Sequence, residues 1–228
     1  MRMFEFKTLT VLCCLMLATT FSYAEEYQPQ GDGSKENPYQ ISNVDDLYWF
    51  ADFVNYKSSG SYVNLCAKLT QDIVVNELEF DTDGNIITEG KKYRVWLPIG
   101  GEYGASKYFK GIFDGNNHTI SGLYFNDGDA SYVGLFGRTS ENANIENVGV
   151  INSYFNGKNY VAGVCGVNYG KINNCFSASV VNGNQVVGGL CGQNESGSIE
   201  FCYNIGSVRG TNYVGGVFGM NYGNHQFL

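Results

Sequence analysis

The chain has 228 residues, of which 30 are glycine and only 3 are proline, and its formal net charge at pH 7 is −8. Its 43% hydrophobic and 15% aromatic content is too high for a disordered tail, and a collagen-like repeat would need far more proline. Only 16% of the residues are charged, which argues against a helical bundle. Composition therefore indicates a folded, turn-rich, all-β protein. Its acidic balance argues against nucleic acid and anionic membrane surfaces as partners.

Residues 1–24 have the pattern of a secretory signal peptide. Arg2 and Lys7 give the first residues a positive charge, and an apolar stretch covers residues 9–18. Ser22-Tyr23-Ala24 then supplies a small-x-small cleavage site. The apolar stretch is shorter than the roughly 18–20 residues that span a membrane. We therefore expect an exported protein, secreted or held at the cell surface, with no transmembrane segment in the mature chain.

Residues 25–60 are predicted to form a short strand and one amphipathic helix over residues 44–56. Ser42 and Asp45 have capping-box spacing, and apolar residues follow at i, i+3, i+4 and i+7. Those four residues are Leu47, Phe50, Ala51 and Val54. A helix placed before a repeat array would cover the first unit and keep its open β edge from pairing with another chain.

Residues 61–130 are predicted to form the leading coils, with strands over residues 63–75 and 94–99 and a hairpin excursion over residues 78–92. Within the hairpin, Asp81, Asp83 and Asn85 surround a glycine in a way that is similar to a calcium loop. However, that glycine stands at position four instead of six, and Lys92 takes the place of the glutamate at position twelve. A hairpin turn is the better interpretation, and no metal or other cofactor is predicted.

Residues 131–228 contain an internal repeat. Four segments align: YVGLFG (132–137), YVAGVCG (160–166), VVGGLCG (186–192) and YVGGVFG (213–219). Their closing glycines Gly137, Gly166, Gly192 and Gly219 are 29, 26 and 27 residues apart. Each period holds about three short β-prone runs, and a propeller blade would need roughly 40 residues. The spacing predicts a parallel β-helix, or β-solenoid, with coils of 26–29 residues whose last coil is incomplete.

Glycine recurs at the same places in every repeat. The recurring residues are Gly134, Gly137, Gly163, Gly166, Gly189, Gly192, Gly216 and Gly219. Tight corners need positive φ, and a coil interior leaves little room for side chains, so both reasons are expected to apply. Asn144, Asn173, Asn182 and Asn204 are expected near the corners, because asparagine tolerates the left-handed conformation.

The four repeat phrases resemble the GLUG motif of bacterial surface and secreted proteins, which include some immunoglobulin A proteases. The phrase FKGIFDGNNHTISGL (109–123) is similar to the coil that leads into such arrays, and the resemblance covers about residues 92–224. It implies parallel β-helical surface modules with an adhesive role and no common catalytic residues.

Five cysteines follow the predicted signal peptide. Cys165 and Cys191 occupy equivalent positions in consecutive repeats, as do Cys175 and Cys202. Stacked coils would bring equivalent Cα atoms to about 4.8 Å, within the disulfide range, and export permits oxidation. Phenylalanine takes the place of Cys165 in two other repeats, which also fits reduced thiols packed in an apolar interior. Both alternatives remain open at this stage.

Tyr132, Tyr160 and Tyr213 open three of the repeats, and Tyr169 and Tyr222 share an Asn-Tyr-Gly phrase two coils apart. The candidate binding residues are Tyr160, Tyr169, Tyr213 and Tyr222. Rings that point outward would suit sugar stacking or protein contact, whereas rings that stack on one another would only stabilise the coils. The acids Asp114, Glu146 and Glu200 could serve glycoside chemistry, but the two glutamates repeat with the coil period, which indicates architecture. His118 is expected to hydrogen-bond across a corner.

These features favour a non-catalytic secreted or surface module with an adhesive or scaffolding role, binding a surface glycan or a host or cell-surface protein. The alternatives are a carbohydrate-active β-helix enzyme and the N-terminal, non-catalytic region of a larger surface protease. The C-terminal coil lacks a visible cap, which predicts either truncation of a longer protein or edge-to-edge self-association.

Overall fold

The computed structural model describes residues 27–57, 65–101 and 108–226; the predicted signal peptide lies outside these residues. The described part has a single α-helix, α1 (Val44–Asp52), which runs into a π-helical turn at Phe53–Lys57. All other regular structure is short β-strands.

The strands follow one another in small groups along the chain. The leading strands are β1 (Tyr39–Ile41), β2 (Ala67–Leu69), β3 (Ile73–Val74), β4 (Ile112–Asp114), β5 (Thr119–Ser121) and β6 (Tyr124–Asn126). Next come β7 (Ser131–Val133), β8 (Phe136–Arg138), β9 (Asn144–Glu146), β10 (Gly149–Asn156), β11 (Asn159–Ala162), β12 (Cys165–Asn168), β13 (Lys171–Asn173) and β14 (Phe176–Asn182). The last are β15 (Gln185–Gly188), β16 (Cys191–Asn194), β17 (Ser198–Glu200), β18 (Tyr203–Asn204), β19 (Ser207–Arg209), β20 (Asn212–Gly215), β21 (Phe218–Asn221) and β22 (Asn224–Gln226).

These strands form four parallel sheets that run along the molecule. The first sheet has the order β1-β2-β4-β9-β13-β17-β22, and the second β3-β5-β10-β14-β18, with β6 beside β10 and β19 beside β14. The third has the order β7-β11-β15-β20 and the fourth β8-β12-β16-β21. Each strand therefore pairs with the equivalent strand of the next coil. The predicted parallel β-solenoid is confirmed, with about six turns.

Stacking in register places like residues on like inside the coils. In the first sheet Phe113 pairs with Ile145, Ile145 with Ile172, and Ile172 with Ile199. All four side chains are fully buried. A single coil could not enclose this apolar column, so its burial couples the stability of each coil to that of its neighbours.

Helix α1 closes the N-terminal end of the core. Its four predicted apolar residues are buried, and the Phe50 ring lies 6.2 Å from Phe109 and 6.0 Å from Phe113 between centroids. The predicted cap is off by one residue: Asn43 Oδ1 accepts the Asp46 N–H at 2.9 Å. Asp46 in turn accepts hydrogen bonds from the Ser42 N–H and hydroxyl. The helix is also shorter than predicted, because the π-helical turn replaces its last residues.

The hairpin over residues 78–92 is present, whereas the strand predicted over residues 94–99 is reduced to isolated bridges at Val95 and Ile99. Phe80 and Ile86 form an antiparallel bridge across the hairpin. The Asp81 carboxylate accepts the backbone N–H groups of Asn85 and Asp83, and these hydrogen bonds lower its pKa. The spacing of these acidic residues therefore stabilises the hairpin turn.

The expectation that the repeat glycines supply positive φ is wrong. None of them lies in the left-handed region. A Cβ on Gly166 would stand 2.7 Å from the carbonyl oxygens of Gly137 and Tyr160, and one on Gly192 would stand 2.6 Å from that of Gly166. The closing glycines Gly137, Gly166, Gly192 and Gly219 are needed because backbone atoms of other strands approach them too closely for a Cβ.

The positions predicted for left-handed asparagines are also wrong. Asn144 and Asn173 lie within strands β9 and β13, and neither Asn182 nor Asn204 has positive φ. The left-handed asparagines include Asn147, with φ 55°, and its equivalent in the next coil, Asn174, with φ 52°. Their amides hydrogen-bond to each other at 2.9 Å.

A second amide ladder runs through the interior. Thr139 Oγ1 donates to Asn168 Oδ1 at 2.8 Å, Asn168 Nδ2 donates to Asn194 Oδ1 at 2.9 Å, and Asn194 Nδ2 donates to Asn221 Oδ1 at 2.8 Å. The first three of these residues are almost completely buried. Burying an amide costs free energy unless it is hydrogen-bonded, so the ladder favours the stacking in which these residues of adjacent coils are aligned.

Two equivalent glycines separate the effect of space from that of conformation. A Cβ on Gly189 would meet the Gly216 carbonyl oxygen at 2.2 Å, whereas one on Gly216 would meet nothing within 4 Å. We expect Gly189→Ala to lower the free energy of unfolding by about 1–3 kcal/mol and Gly216→Ala to change it by less than about 0.5 kcal/mol. Urea denaturation of both variants measures this, and equal effects would contradict the close-approach explanation.

Candidate functional site: a tyrosine face

One corner of the coil turns aromatic side chains outward. Tyr132, Tyr160, Val186 and Tyr213 occupy this corner in successive coils, with φ between 51° and 61°. A bulky side chain in the left-handed conformation costs about 1–2 kcal/mol, and its recurrence shows that the coil geometry imposes it. The register pairing between coils skips this residue, because Asn159 and Val161 on either side of Tyr160 are the residues that pair with the neighbouring coils.

Two further tyrosines form a second column beside this corner. Tyr169 comes directly after Asn168, and Tyr222 comes directly after Asn221. Asn168 pairs with Asn194 in the next coil, and Asn194 pairs with Asn221 in the coil after that, so the two tyrosines lie two coils apart. Tyr169 packs edge-on against Tyr108, with ring centroids 5.9 Å apart. We call these residues the tyrosine face: Tyr108, Tyr132, Arg138, Tyr160, Tyr169, Tyr213 and Tyr222.

Arg138 joins the two columns. Its guanidinium carbon lies 4.4 Å from the Tyr132 ring centroid and 4.8 Å from that of Tyr108, both within cation–π range. Among the residues that the structure describes, no carboxylate lies within ion-pair distance of Arg138. The guanidinium thus contacts two ring faces, and its Nη2 also donates to the Gly101 carbonyl oxygen at 3.5 Å.

The hydroxyl of Tyr169 stays protonated near neutral pH. Burial raises the pKa of Tyr169, the negative charge of Glu195 raises it further, and the Arg138 charge opposes this in part. The face therefore presents hydroxyl groups and aromatic rings around the Arg138 cation, with the Glu195 carboxylate near Tyr169. Such a surface suits binding of a polar ligand with apolar ring faces.

The predicted binding residues divide into two pairs. Tyr160 stacks on Tyr132 with centroids 5.1 Å apart and planes 6° apart, and Tyr169 contacts Tyr108, so both are half-buried by neighbouring rings. Tyr213 and Tyr222 are 61% and 64% exposed. Tyr160 and Tyr169 thus take part in ring contacts, and Tyr213 and Tyr222 lie in the last coil that the structure describes.

Sequence reasoning missed Arg138 and Tyr108. Arg138 follows the first repeat phrase at a position where Val167, Gln193 and Met220 stand in later coils. This break in the repeat pattern was the available signal, because a charged residue replaces uncharged ones in a column that is otherwise part of the architecture.

The other side chains that could carry chemistry are held in ion pairs or hydrogen bonds that stabilise the fold. Lys68 lies 3.5 Å from Asp114, Lys171 lies 3.6 Å from Glu200, and Asn144 donates to Glu146. His118 Nδ1 lies 3.4 Å from Asp72 across a corner. In the described ranges, no group of three or more His, Cys, Asp or Glu residues could hold a metal ion.

The cysteines stack as reduced thiols. Cys165 pairs in register with Cys191, and the Cys175 N–H donates to Cys202 Sγ at 3.3 Å. All five cysteines of the described chain, including Cys66, are free and buried. Burial raises the pKa values of Cys175 and Cys191 well above the ordinary thiol value.

These thiols are expected to resist alkylation in the native state. All four repeat cysteines are buried, so the reagent cannot reach them in the folded chain. At pH 8 the raised pKa values of Cys175 and Cys191 also keep these two thiols protonated, and only the thiolate is nucleophilic. Iodoacetamide should therefore label none of the four repeat cysteines in native protein and all of them in denaturant without reductant, as measured by mass spectrometry. Recovery of pairs that label only after reduction would show disulfides instead.

The fold and this face define a parallel β-solenoid with an aromatic lateral surface, and comparisons with known proteins agree on the fold. No protein-family model matches the chain, so the GLUG resemblance stays a prediction. A solved structure from Bacteroides ovatus, provisionally named an immunoglobulin A1 protease, aligns with a TM-score of 0.53 at 19% identity. The alignment covers 86% of this chain and 66% of that one.

Two relatives share more of the sequence. Halomucin of Haloquadratum walsbyi is 32% identical over 169 residues, which is 74% of this chain and 2% of that protein. A provisionally named Gly-rich membrane protein of Evansella cellulosilytica is 31% identical over 147 residues, which is 63% of this chain and 15% of that protein. The chain thus spans only a small part of the length of either relative. In its own described residues, no helix combines the length and apolarity that a membrane crossing requires.

Proposed function

We propose that this chain is a non-catalytic β-solenoid module, secreted or displayed at the cell surface, that binds carbohydrate through its tyrosine face. The names of the two relatives, Halomucin and a membrane protein, support a location at or outside the cell surface. The predicted signal peptide in residues 1–24 supports the same location.

The observation that carries the binding role is the group of partly exposed aromatic rings on either side of Arg138. Tyr132 and Tyr108 lie within cation–π range of its guanidinium, Tyr160 stacks on Tyr132, and Tyr169 contacts Tyr108. Tyrosine combines an apolar ring that stacks on a sugar with a hydroxyl that bonds to sugar hydroxyl groups, at little cost in side-chain entropy.

A binding role without catalysis is favoured by the state of the acids. Glycoside hydrolysis needs two carboxylates free to act on opposite sides of a bond. Asp114 and Glu200 lie beside lysines, and Glu146 accepts from Asn144, all on the outer face of the first sheet. Asp114 and Glu200 pair with lysines of adjacent coils, and Glu146 is held within its own strand.

The test is a glycan array of neutral and acidic oligosaccharides, followed by calorimetry with the best-bound sugar. Losing a stacking ring at a binding site costs more than about 1 kcal/mol, so Tyr160→Ala and Tyr169→Ala should each weaken binding by about fivefold or more. Tyr56→Ala is the matched control, because Tyr56 is 52% exposed and lies after the helix, outside the tyrosine face.

Circular dichroism should show that all three variants are folded. Absence of binding to every sugar on the array would contradict the proposal, as would equal affinity of wild type and both tyrosine variants.

A further inference from the structure

Arg138 leaves most of its hydrogen-bonding capacity unused. A guanidinium is always charged near neutral pH and carries several N–H donors in a rigid, planar fork. The hydrogen bond from Nη2 to the Gly101 carbonyl oxygen is 3.5 Å long, which is longer than a well-formed N–H···O bond. Nε is the nitrogen of this group that is buried without a partner, so Nη1 and Nη2 form the end that a ligand can reach.

Arg94 provides a comparison within the same chain. Its guanidinium carbon lies 3.7 Å from the centroid of the Tyr48 ring, so it makes the same kind of cation–π contact as Arg138. The Nη1 of Arg94 also donates to the Asp45 carboxylate at 2.9 Å, which neutralises the charge. Arg138 has two ring contacts and no ion pair with a carboxylate of the described residues, so its charge is available to a ligand.

The coil architecture does not require a cation at this position. The residues in register with Arg138 in the later coils are Val167, Gln193 and Met220, none of which is charged. Two tyrosine rings nevertheless hold the partly exposed Arg138 side chain in place. A side chain that is positioned before binding loses less conformational freedom when a ligand arrives.

A hydrogen-bond acceptor lies on the same face, two coils away. Gln193 occupies the column of Arg138 with Val167 between them, and its side-chain amide donates to the Glu195 carboxylate. Glu195 is close enough to Tyr169 for its charge to raise the pKa of that tyrosine. A carboxylate accepts hydrogen bonds from sugar hydroxyl groups, so the face offers a cation at one place and an acceptor at another.

We propose that the tyrosine face selects acidic saccharides, and that Arg138 binds the carboxylate of a sugar acid such as a uronic acid. This inference rests on the proposed carbohydrate-binding role and names the class of sugar. The guanidinium fork donates two parallel N–H···O bonds to the planar carboxylate, while the sugar ring stacks on an adjacent tyrosine. A local cation is needed for this, because the chain as a whole carries a net charge of −8.

Calorimetry with matched acidic and neutral sugars tests the inference on the wild-type chain. The first pair of probes is a galacturonic acid trisaccharide and its methyl ester, and the second pair is sialyllactose and lactose. The ester keeps the sugar rings but loses the charge, so we expect the acid to bind about tenfold more tightly or better. Added salt should reduce this preference, because it screens a partly exposed charge pair.

Arg138→Gln tests the role of the cation. This variant should bind the acid about tenfold more weakly than wild type and the ester within about twofold, so that the preference for the acid is lost. Arg138→Lys keeps the charge without the planar fork and should retain only part of the preference. Arg94→Gln is the matched control: it also removes an arginine that contacts a tyrosine ring, but outside the tyrosine face, and should keep the full preference.

The outcomes separate this inference from the proposed function. Equal affinity of the wild type for both members of each pair would overturn the acid preference and leave carbohydrate binding intact. An equal loss of acid and ester binding in Arg138→Gln would also overturn it, because Arg138 would then only hold the rings in place. Binding of no sugar at all would overturn the proposed function and this inference together.

Discussion

Backbone pairing in register between successive coils is the constraint on which the rest of this structure depends. Each strand of a repeat has the equivalent strand above and below it, so each column through the molecule holds one kind of environment. The apolar column of Phe113 and Ile145, the amide ladder of Asn168 and Asn194, and the glycine columns all follow from this. A residue that suits one coil must also suit the residues stacked on it.

This constraint explains why the sequence predicted the architecture so well. A period of 26–29 residues with three β-prone runs has few solutions that pair all backbone groups, and the solenoid is the one that fits. The helix was equally predictable, because Leu47, Phe50, Ala51 and Val54 mark one face of it. Its cap shifted by one residue because Asn43 competes with Ser42 for the same role, and spacing alone does not choose between them.

The role of glycine was harder to predict, because sequence shows where glycine is required and not why. Positive φ and close approach both exclude a side chain, and only coordinates separate them. At the tyrosine corner, the residues with positive φ are Tyr132, Tyr160 and Val186, which no propensity argument would choose. Arg138 was missed for a related reason: the partners that hold it, Tyr108 and Tyr132, come from different coils and meet only in the folded chain.

The tyrosine columns show that one interaction can both build a scaffold and limit its surface. Stacking of Tyr160 on Tyr132 stabilises two coils, and it also uses the ring faces that a ligand would need. Open ring surface is left where a column ends. The affinity of such a face for a ligand would then depend on where its aromatic columns are interrupted, as Val186 interrupts one of them, more than on the number of tyrosines.

The interior amide ladder has a consequence for how proteins of this kind change length. Asn168 and Asn194 each offer one donor and one acceptor along the axis, always in the same direction. Any coil with an asparagine at this position can therefore be removed, duplicated or exchanged without leaving a buried amide unmatched. Because Thr139, Asn168, Asn194 and Asn221 are 29, 26 and 27 residues apart, a coil can also gain or lose residues in its turns while the strand that carries the asparagine keeps its register. Such a chain can therefore lengthen or shorten by whole coils during evolution.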